Sequence, residues 1–183
     1  YFVADEPPPA LVERMAATFT RSDGDIAATL QTLFESREFA ASLGRKFRDP
    51  VHYVVAGVRL AYDERVVLNT TPMIGWINRM GETLYAHETP DGYPLNEAAC
   101  ASAGQMNTRF ETARAIARGC AVLFRTDDKA PLEKPPFPPL AESRAVHALQ
   151  PGLSADTQQA LAQAKNPPEW NTFLLASPEL MRR

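Results

Sequence analysis

The stretch SAGQMNTRFETARAIARG (residues 102–119) decides the fold class, because it carries a complete helix signal from start to stop. Ser102 and Gln105 have the spacing of a capping box, which satisfies backbone N–H groups at a helix N-terminus. Gly119 can supply the left-handed residue that ends a helix. Apolar side chains recur between these signals at helical spacing, so the stretch predicts an amphipathic helix. The predicted buried face consists of Met106, Phe110, Ala113 and Ala117.

The arginines of this helix fall mostly away from that apolar face. Arg109, Arg114 and Arg118 lie within about two and a half turns of one another and could form a basic strip. Glu111 and the acids before the helix are close enough in sequence to neutralise it. A solvated helix face is the simpler interpretation, and a site for a polyanion or carboxylate is the alternative.

Similar combinations of cap, proline and apolar spacing predict six further helices. They cover residues 6–19, 22–36, 49–63, 71–81, 154–165 and 166–177. The first two are expected to form a helical hairpin, and Thr71 is expected to cap the fourth. The valines of residues 49–63 would also suit a strand. Helix is favoured there because Asp49 and Pro50 form a helix-start signal and a lone strand would have no partner.

A proline-rich segment interrupts the helical pattern. Its core, APLEKPPFPPL (residues 130–140), holds five prolines, which lack the amide hydrogen and exclude a regular helix or central strand. We therefore expect an extended connection over residues 126–152 that crosses the surface of its own domain, although such a run could also bind an aromatic groove. The predicted fold is all-α: one domain over residues 1–183, a compact irregular bundle of about seven to eight helices.

Composition narrows the classes of function. The chain has 183 residues, 45% of them hydrophobic and 22% charged, which is a globular balance able to fill a core. The formal net charge of -3 argues against a nucleic-acid partner. No apolar run reaches the about 18 to 20 residues of a membrane span. Cys100 and Cys120 flank the predicted helix of about 24 Å, too long for a disulfide, so two free thiols are expected.

The segment HETPDGY (residues 87–93) offers the most chemistry-bearing side chains in one place. Its Pro-Asp-Gly order suits a type I turn without any functional role, and that is the simpler interpretation. The functional hypothesis places the side chains in a cleft opposite the anion-binding side of the next helix, with a carboxylate or histidine as base. A loop that binds a partner protein is the third interpretation. The candidate residues are His87, Glu88, Asp91, Tyr93 and Arg109.

Other catalytic and cofactor signals are absent from the sequence. His52, His87 and His147 are isolated, with no HExxH or HxxxH spacing, so no metal site is predicted. No GxSxG, GxGxxG or phosphate-binding loop occurs. We therefore predict no cofactor and, on balance, no enzyme.

Five segments in order resemble the C-terminal half of a large bacterial family catalogued as domain of unknown function 1800. They are residues 1–19, LFESREF at 33–39, TPDGYPLNEAA at 89–99, MNTRFETARAIA at 106–117 and LLASPELMRR at 174–183. The resemblance covers nearly the whole chain and is weakest through the proline-rich segment. Family members often carry a tryptophan-rich stretch in the loop, where this chain has Tyr93 and no tryptophan.

The resemblance implies a mostly helical protein exported in bacteria, periplasmic or extracellular, of which this chain would be the C-terminal portion. It implies no activity. We therefore expect a helical module for assembly or partner binding at the cell envelope, whose partner is another protein or the N-terminal half of the same protein. The alternative is an enzyme site completed by that half, with residues 87–93 and Arg109 lining the cleft.

Overall fold

The computed structural model describes residues 1–63, 65–125 and 137–183, and it confirms the all-α fold. The described residues form ten α-helices and no β-strand. They are α1 Pro9–Arg21, α2 Ile26–Phe34, α3 Arg37–Ser42, α4 Pro50–Tyr62, α5 Thr71–Arg79, α6 Glu97–Cys100, α7 Ala103–Ala117, α8 Arg144–Leu149, α9 Ala155–Ala162 and α10 Pro167–Leu175. None of the helices described is both long and apolar enough to cross a bilayer.

Local capping explains where most of these helices begin. In seven of the ten, the residue before the helix accepts a hydrogen bond from the backbone N–H three positions on. The three short helices α3, α6 and α8 account for the difference from the seven or eight predicted. The prediction that Thr71 caps α5 is wrong. Thr71 is the first helical residue, and its N–H donates to Asn69 Oδ1 at 2.9 Å.

The main core lies between α4, α5, α7 and α10. Gly57 of α4 lies against α7 and α10, where a Cβ at that position would be 3.4 Å from Ile116 Cδ1 and 4.0 Å from Leu175 Cδ2. Tyr53 joins three helices: its hydroxyl lies 3.1 Å from the carbonyl oxygens of both Arg109 and Leu175. The buried hydroxyl is thereby satisfied, as a hydroxyl out of contact with water must be.

The buried face of α7 differs from the prediction by about one residue. Arg109 is completely buried, whereas Phe110 remains 37% exposed. The prediction of a buried face is therefore confirmed for Ala113 and Ala117 and wrong for Phe110. The prediction that Arg109 lies away from that face is also wrong. The capping box is also only half formed. Ser102 accepts from Gln105 N–H, while the Gln105 amide donates to Met80 O at 2.9 Å.

Only part of the proline-rich connection can be compared with its prediction, since residues 126–136 lie outside the described residues. Residues 137–139 carry no regular structure, and Asn171 Nδ2 holds them by donating to Pro138 O at 2.7 Å. From Leu140 the chain forms two short 3-10 turns around α8. The expectation of an extended segment is therefore wrong for the second half of residues 126–152.

A second, smaller cluster holds the predicted helical hairpin of α1 and α2. Asp23 and Gly24 have positive φ and turn the chain between the two helices. Only three apolar side chains are buried in this cluster: Val3, Leu11 and Leu33. The hairpin is thus a satellite of the main core.

The end of the described chain closes the fold. Residues 181–183 pair with residues 46–48 through an isolated antiparallel bridge between Phe47 and Arg182. Arg182 also forms a bidentate ion pair with Glu97, at 2.6 and 3.0 Å. This contact ties the C-terminal segment to the start of α6.

Candidate functional site

The predicted loop forms a locally satisfied turn. Gly92 N–H donates to Thr89 O at 3.4 Å, and the Thr89 hydroxyl donates to the Asp91 carboxylate. That hydrogen bond lowers the pKa of Asp91. His87 Nδ1 lies 2.9 Å from Thr89 O. The contacts of His87 and Asp91 thus support the turn itself.

The other loop candidates also have local surroundings. Tyr93 donates from its hydroxyl to Thr83 O at 3.0 Å and packs edge-on against the His87 ring, with centroids 4.6 Å apart. Glu88 is exposed. Arg109 is fully buried, so it does not line an open cleft with these side chains. The structure brings His87, Asp91 and Tyr93 near one another but leaves Arg109 apart from them.

Arg109 instead occupies the centre of a polar cluster inside the fold. Its guanidinium carbon lies 4.7 Å from the Phe47 ring centroid and 4.8 Å from that of Tyr53. Nη2 donates to Arg48 O at 2.8 Å, and Nη1 lies 3.8 Å from Met181 Sδ. Among the described residues Nε has no hydrogen-bond partner. The contacts join three distant segments, which makes Arg109 an internal anchor.

Two carboxylates near the N-terminus of α4 act on this buried charge. Asp49 caps the helix, and Glu82 accepts from Val51 N–H at 3.1 Å. Burial raises the pKa of Glu82, and the hydrogen bond from Val51 offsets only part of that effect. Asp49 and Glu82 both favour the charged form of Arg109 against its own burial. Burial nevertheless lowers the pKa of Arg109, so these charges offset only part of the cost of its desolvation.

One member of the region, His52, faces outward. The Asp49 carboxylate lies 2.6 Å from His52 Nδ1, while Nε2 points toward the Tyr1 hydroxyl at 3.5 Å. A carboxylate that orients an imidazole in this way leaves the other ring nitrogen free to accept or deliver a proton. Among the described residues no group of three metal-ligating side chains converges. A carboxylate hydrogen-bonded to an imidazole is an arrangement that can transfer protons.

Sequence reasoning missed this pair because it treated His52 as isolated. The signal was present in the order Asp-Pro-Val-His at the predicted start of α4. A cap residue and the third helical residue lie side by side, so the sequence predicts a contact between Asp49 and His52. The same proximity also has a purely structural use, because Asp49 accepts from His52 N–H at 2.8 Å.

A cleft of about 450 Å³ lies between the N-terminal segment and α3. Lys46, only 7% exposed, donates within it to the Asp5 carboxylate and to Leu95 O at 3.0 Å. The Lys46 hydrogen bond lowers the pKa of Asp5, and a second bond from Glu97 N–H adds to the effect. The Asp5–Lys46 pair thus holds the N-terminal segment against the main body.

The two thiols are free. Burial raises the pKa of both Cys100 and Cys120. Because the thiolate is the nucleophilic form, burial disfavours the reactive state at either position.

The hairpin carries an apolar groove of about 440 Å³. Its walls come from both helices and from the segment before α1. Those lining residues include Phe2, Leu11, Val12, Met15, Phe19 and Leu33. Val12, Phe19 and Phe2 are each 44–48% exposed, so the groove is open along its length.

The geometry defines an all-α domain whose polar clusters are largely satisfied internally and whose open groove is apolar. The sequence model of one family, described as protein of unknown function (DUF1800), matches residues 1–182. The chain belongs to this family. No curated protein and no solved structure shows significant similarity to it.

Proposed function

We propose that this chain is a partner-binding module of an exported bacterial protein and acts in assembly at the cell envelope. The observation that carries the proposal is the open apolar surface of the α1–α2 hairpin. We call it the hairpin surface and define it by Tyr1, Phe2, Val12, Phe19 and Phe34. Export and an envelope location are supported by the family resemblance alone.

The hairpin surface is continuous because aromatic rings connect its two parts. Tyr1 packs edge-on against Phe2 at 4.9 Å, and Phe2 against Phe34 at 5.5 Å between centroids. Phe2 also lines the groove with Val12 and Phe19. With each aromatic side chain about half exposed, the surface presents roughly 400 Å² of apolar area, the size at which patches on monomers are often functional.

Aromatic side chains suit this role for a physical reason. They bring a large apolar area with only two rotatable side-chain bonds, so that little conformational entropy is lost on binding. The edge-on contacts among the three rings restrict their rotamers before a partner arrives. A surface prepared in this way loses less free energy on association than a mobile one.

Site-specific photo-crosslinking in the native bacterium tests the proposal. A photoreactive phenylalanine analogue replaces Phe19 in one variant and Phe110 in a matched control. Phe110 is 37% exposed and lies on α7, which packs against α4, α5 and α10. We expect a discrete crosslinked protein from position 19, in the envelope or secreted fraction, and none from position 110. Equal crosslinking from both positions, or recovery only from the cytoplasm, would contradict the proposal.

A proton-transfer enzyme is the second candidate, and the Asp49–His52 pair is the observation that favours it. This pair takes the place of the predicted site formed by residues 87–93 and Arg109, because Arg109 is buried. The test is a screen of hydrolysable esters and amides with the purified protein. An activity that is lost in His52→Gln and retained in His87→Gln would support this candidate. An activity unchanged in both variants would exclude His52 as its base.

A further inference from the structure

We infer that the chain binds a small phosphate monoester with an apolar body. The site is a cleft of about 450 Å³, within the range of roughly 300 to 1,000 Å³ that small-molecule sites occupy. Its walls come from residues 44–48, 149–153 and 178–183. No residue of α1 or α2 lines it, so the inference stands apart from the proposed function. We call it the arginine cleft and define it by Arg48, Leu149, Leu153, Pro178, Leu180 and Arg183.

Two arginines, Arg48 and Arg183, give the cleft its positive charge. Neither guanidinium forms an ion pair with any residue that the structure describes. Arg48 Nη1 donates to Leu180 O at 2.8 Å, and Arg183 Nη1 donates to the Tyr1 hydroxyl at 3.1 Å. Because a carbonyl and a hydroxyl are both neutral, the two positive charges remain uncompensated.

The two guanidinium groups also act on each other. Burial lowers the pKa of Arg48, and the nearby charge of Arg183 lowers it further. Tyr53 is the group that opposes these effects, but burial raises the pKa of Tyr53, so it carries no charge at neutral pH. Like charges repel strongly in a partly buried cleft, and an anion bound between them relieves that repulsion.

Two further charged residues line the cleft, and both are engaged by other groups. Arg182 forms its bidentate ion pair with Glu97. The Glu179 carboxylate accepts from Ser154 N–H at 2.8 Å and from the Thr157 hydroxyl at 2.9 Å, at the start of α9. Arg48 and Arg183 are therefore the charged groups left to meet a ligand.

The chemistry of this arginine pair favours a phosphate group. A guanidinium donates two parallel hydrogen bonds to the oxygens of a phosphate or a carboxylate. A phosphate monoester carries about 1.5 to 2 negative charges at neutral pH, whereas one carboxylate carries a single charge. The doubly charged group matches two guanidiniums, and it has enough oxygen atoms to bind both at once.

The rest of the cleft favours an apolar body on that phosphate. The remaining walls that define it are Leu149, Leu153, Pro178 and Leu180. Leu149 is 41% exposed, so part of this apolar surface faces water when the cleft is empty. A ligand that covers these side chains gains the free energy of removing them from water, which inorganic phosphate cannot do.

Nuclear magnetic resonance titration of the ¹⁵N-labelled chain with phenyl phosphate, slightly above neutral pH, tests the inference. We expect saturable shifts of amide signals in residues 44–48, 149–153 and 178–183, with a dissociation constant of about 1 mM or below. Inorganic phosphate lacks the apolar body and benzoate lacks the second charge, so each should bind at least about tenfold more weakly.

Substitution of each arginine tests its role. Arg48→Gln and Arg183→Gln should each raise the dissociation constant for phenyl phosphate at least about tenfold, because each removes one of the two charges. The control is Arg118→Gln, which changes an exposed arginine outside the cleft and should leave binding unchanged. The amide spectrum of each variant establishes that the fold is kept.

A variant that leaves both arginines in place tests the location. Leu149→Glu adds a carboxylate to the wall of the cleft and should also weaken binding at least about tenfold by repelling the phosphate. The matched control is Leu84→Glu, because Leu84 is 42% exposed and lies outside the cleft.

Four outcomes would overturn the inference. Absence of saturable shifts in the three segments would mean that the cleft is not a binding site. Equal affinity for benzoate would exclude a doubly charged ligand, and equal affinity for inorganic phosphate would exclude the apolar body. Binding that survives Leu149→Glu or both arginine substitutions would place the phosphate elsewhere on the chain.

Discussion

The main core and the N-terminal hairpin are both built from amphipathic helices, but the main core buries its apolar side chains and the hairpin leaves many of them exposed. In the main core, α4, α7 and α10 enclose their apolar side chains, and even the hydroxyl groups of Tyr53 and Tyr62 are buried and bonded. Burial raises the pKa of Tyr62 to about 12, despite the hydrogen bond from Cys120 N–H. In the hairpin, two apolar side chains are buried, Leu11 and Leu33, while its phenylalanines stay half exposed.

This difference indicates which region stabilises the fold and which region is available to bind a partner. A side chain that is already buried has contributed its transfer free energy to folding and has little left for a partner. A half-exposed phenylalanine retains about half of that free energy for association. The main core should therefore respond to substitution through stability, and the hairpin surface mainly through binding.

Replacing Arg109 should produce the largest loss of stability. Arg109→Ala removes contacts to Phe47, Tyr53 and the Arg48 carbonyl and leaves a cavity inside the fold. We expect the free energy of unfolding to fall by about 3 to 5 kcal/mol, measured by urea denaturation. Arg114→Ala on the same helix is the matched control. Arg114 is exposed and paired only with Glu111, so its loss should cost under about 0.5 kcal/mol.

Arg109→Met separates the charge from the volume. Methionine refills part of the cavity without a buried charge, so this variant should be less destabilised than Arg109→Ala. If the two variants were equally unstable, the specific guanidinium contacts would outweigh packing. If neither differed from the Arg114→Ala control, Arg109 would not anchor the core.

Cutting the link between the two regions should have the next largest effect. Asp5→Ala removes the carboxylate that binds the nearly buried Lys46 ammonium, which then retains Leu95 O as its described acceptor. Unpaired buried groups cost about 1 to 3 kcal/mol, and the loss should appear as faster amide hydrogen exchange in α1 and α2. Glu6→Ala, an exposed neighbour, is the control.

A second substitution can confirm the cause. If Lys46 is destabilising once Asp5 is gone, Asp5→Ala with Lys46→Met should lose less stability than the two single variants added together. Strict additivity would mean that the pair does not interact. Protection lost throughout the main core would mean that the hairpin is not a satellite.

Replacing Glu179 should affect stability in a way that depends on pH. Burial raises the pKa of Glu179, but hydrogen bonds from Ser154 N–H and the Thr157 hydroxyl outweigh it and lower the pKa to about 2. The native state therefore gains stability above pH 4.5 and loses it as the pH falls from 4.5 toward 2. Glu179→Gln should cost about 1 kcal/mol at pH 7, after discounting for its partial exposure, and nothing near pH 2.

Urea titrations across this pH range check the sign. Glu142→Gln serves as the control, because Glu142 is exposed and accepts no side-chain hydrogen bond from a described residue. A difference between Glu179→Gln and the parent chain that stayed constant with pH would show that the glutamate acts through packing and not through its charge.

The limits of sequence reasoning follow from the range of each interaction. Caps such as Ser36, Ser102 and Asn166 contact residues three positions away, so the local pattern predicts them. Arg109 could not be placed in the same way. Its ring contacts and its sulfur contact come from residues 47, 53 and 181, and a helix-face rule based on polarity assigns an arginine to solvent.

In the candidate site too, local contacts can be predicted from the sequence and long-range contacts cannot. The Pro-Asp-Gly turn is local, and its predicted geometry can be read from residues 89–92. The Asp49–His52 pair is also local and could have been predicted from the cap position. The Glu179 contacts join segments about 25 positions apart, which no spacing rule covers. The exposed half of Phe19 depends on how few residues pack over the hairpin, which only the tertiary structure reveals.

The smallest expected effect compares one substitution in the two regions. Ile26 is 69% exposed at the start of α2, whereas Ile116 is 1% exposed in the main core. Ile26→Ala should change the free energy of unfolding by less than about 0.5 kcal/mol, because alanine recovers through its helix propensity part of what the lost contacts cost. Ile116→Ala should cost about 2 to 5 kcal/mol. Urea denaturation of both variants measures the difference. A loss at Ile26 comparable to that at Ile116 would mean that the hairpin owes its own stability to side chains that water still reaches, and the division between a closed core and an open binding surface would fail.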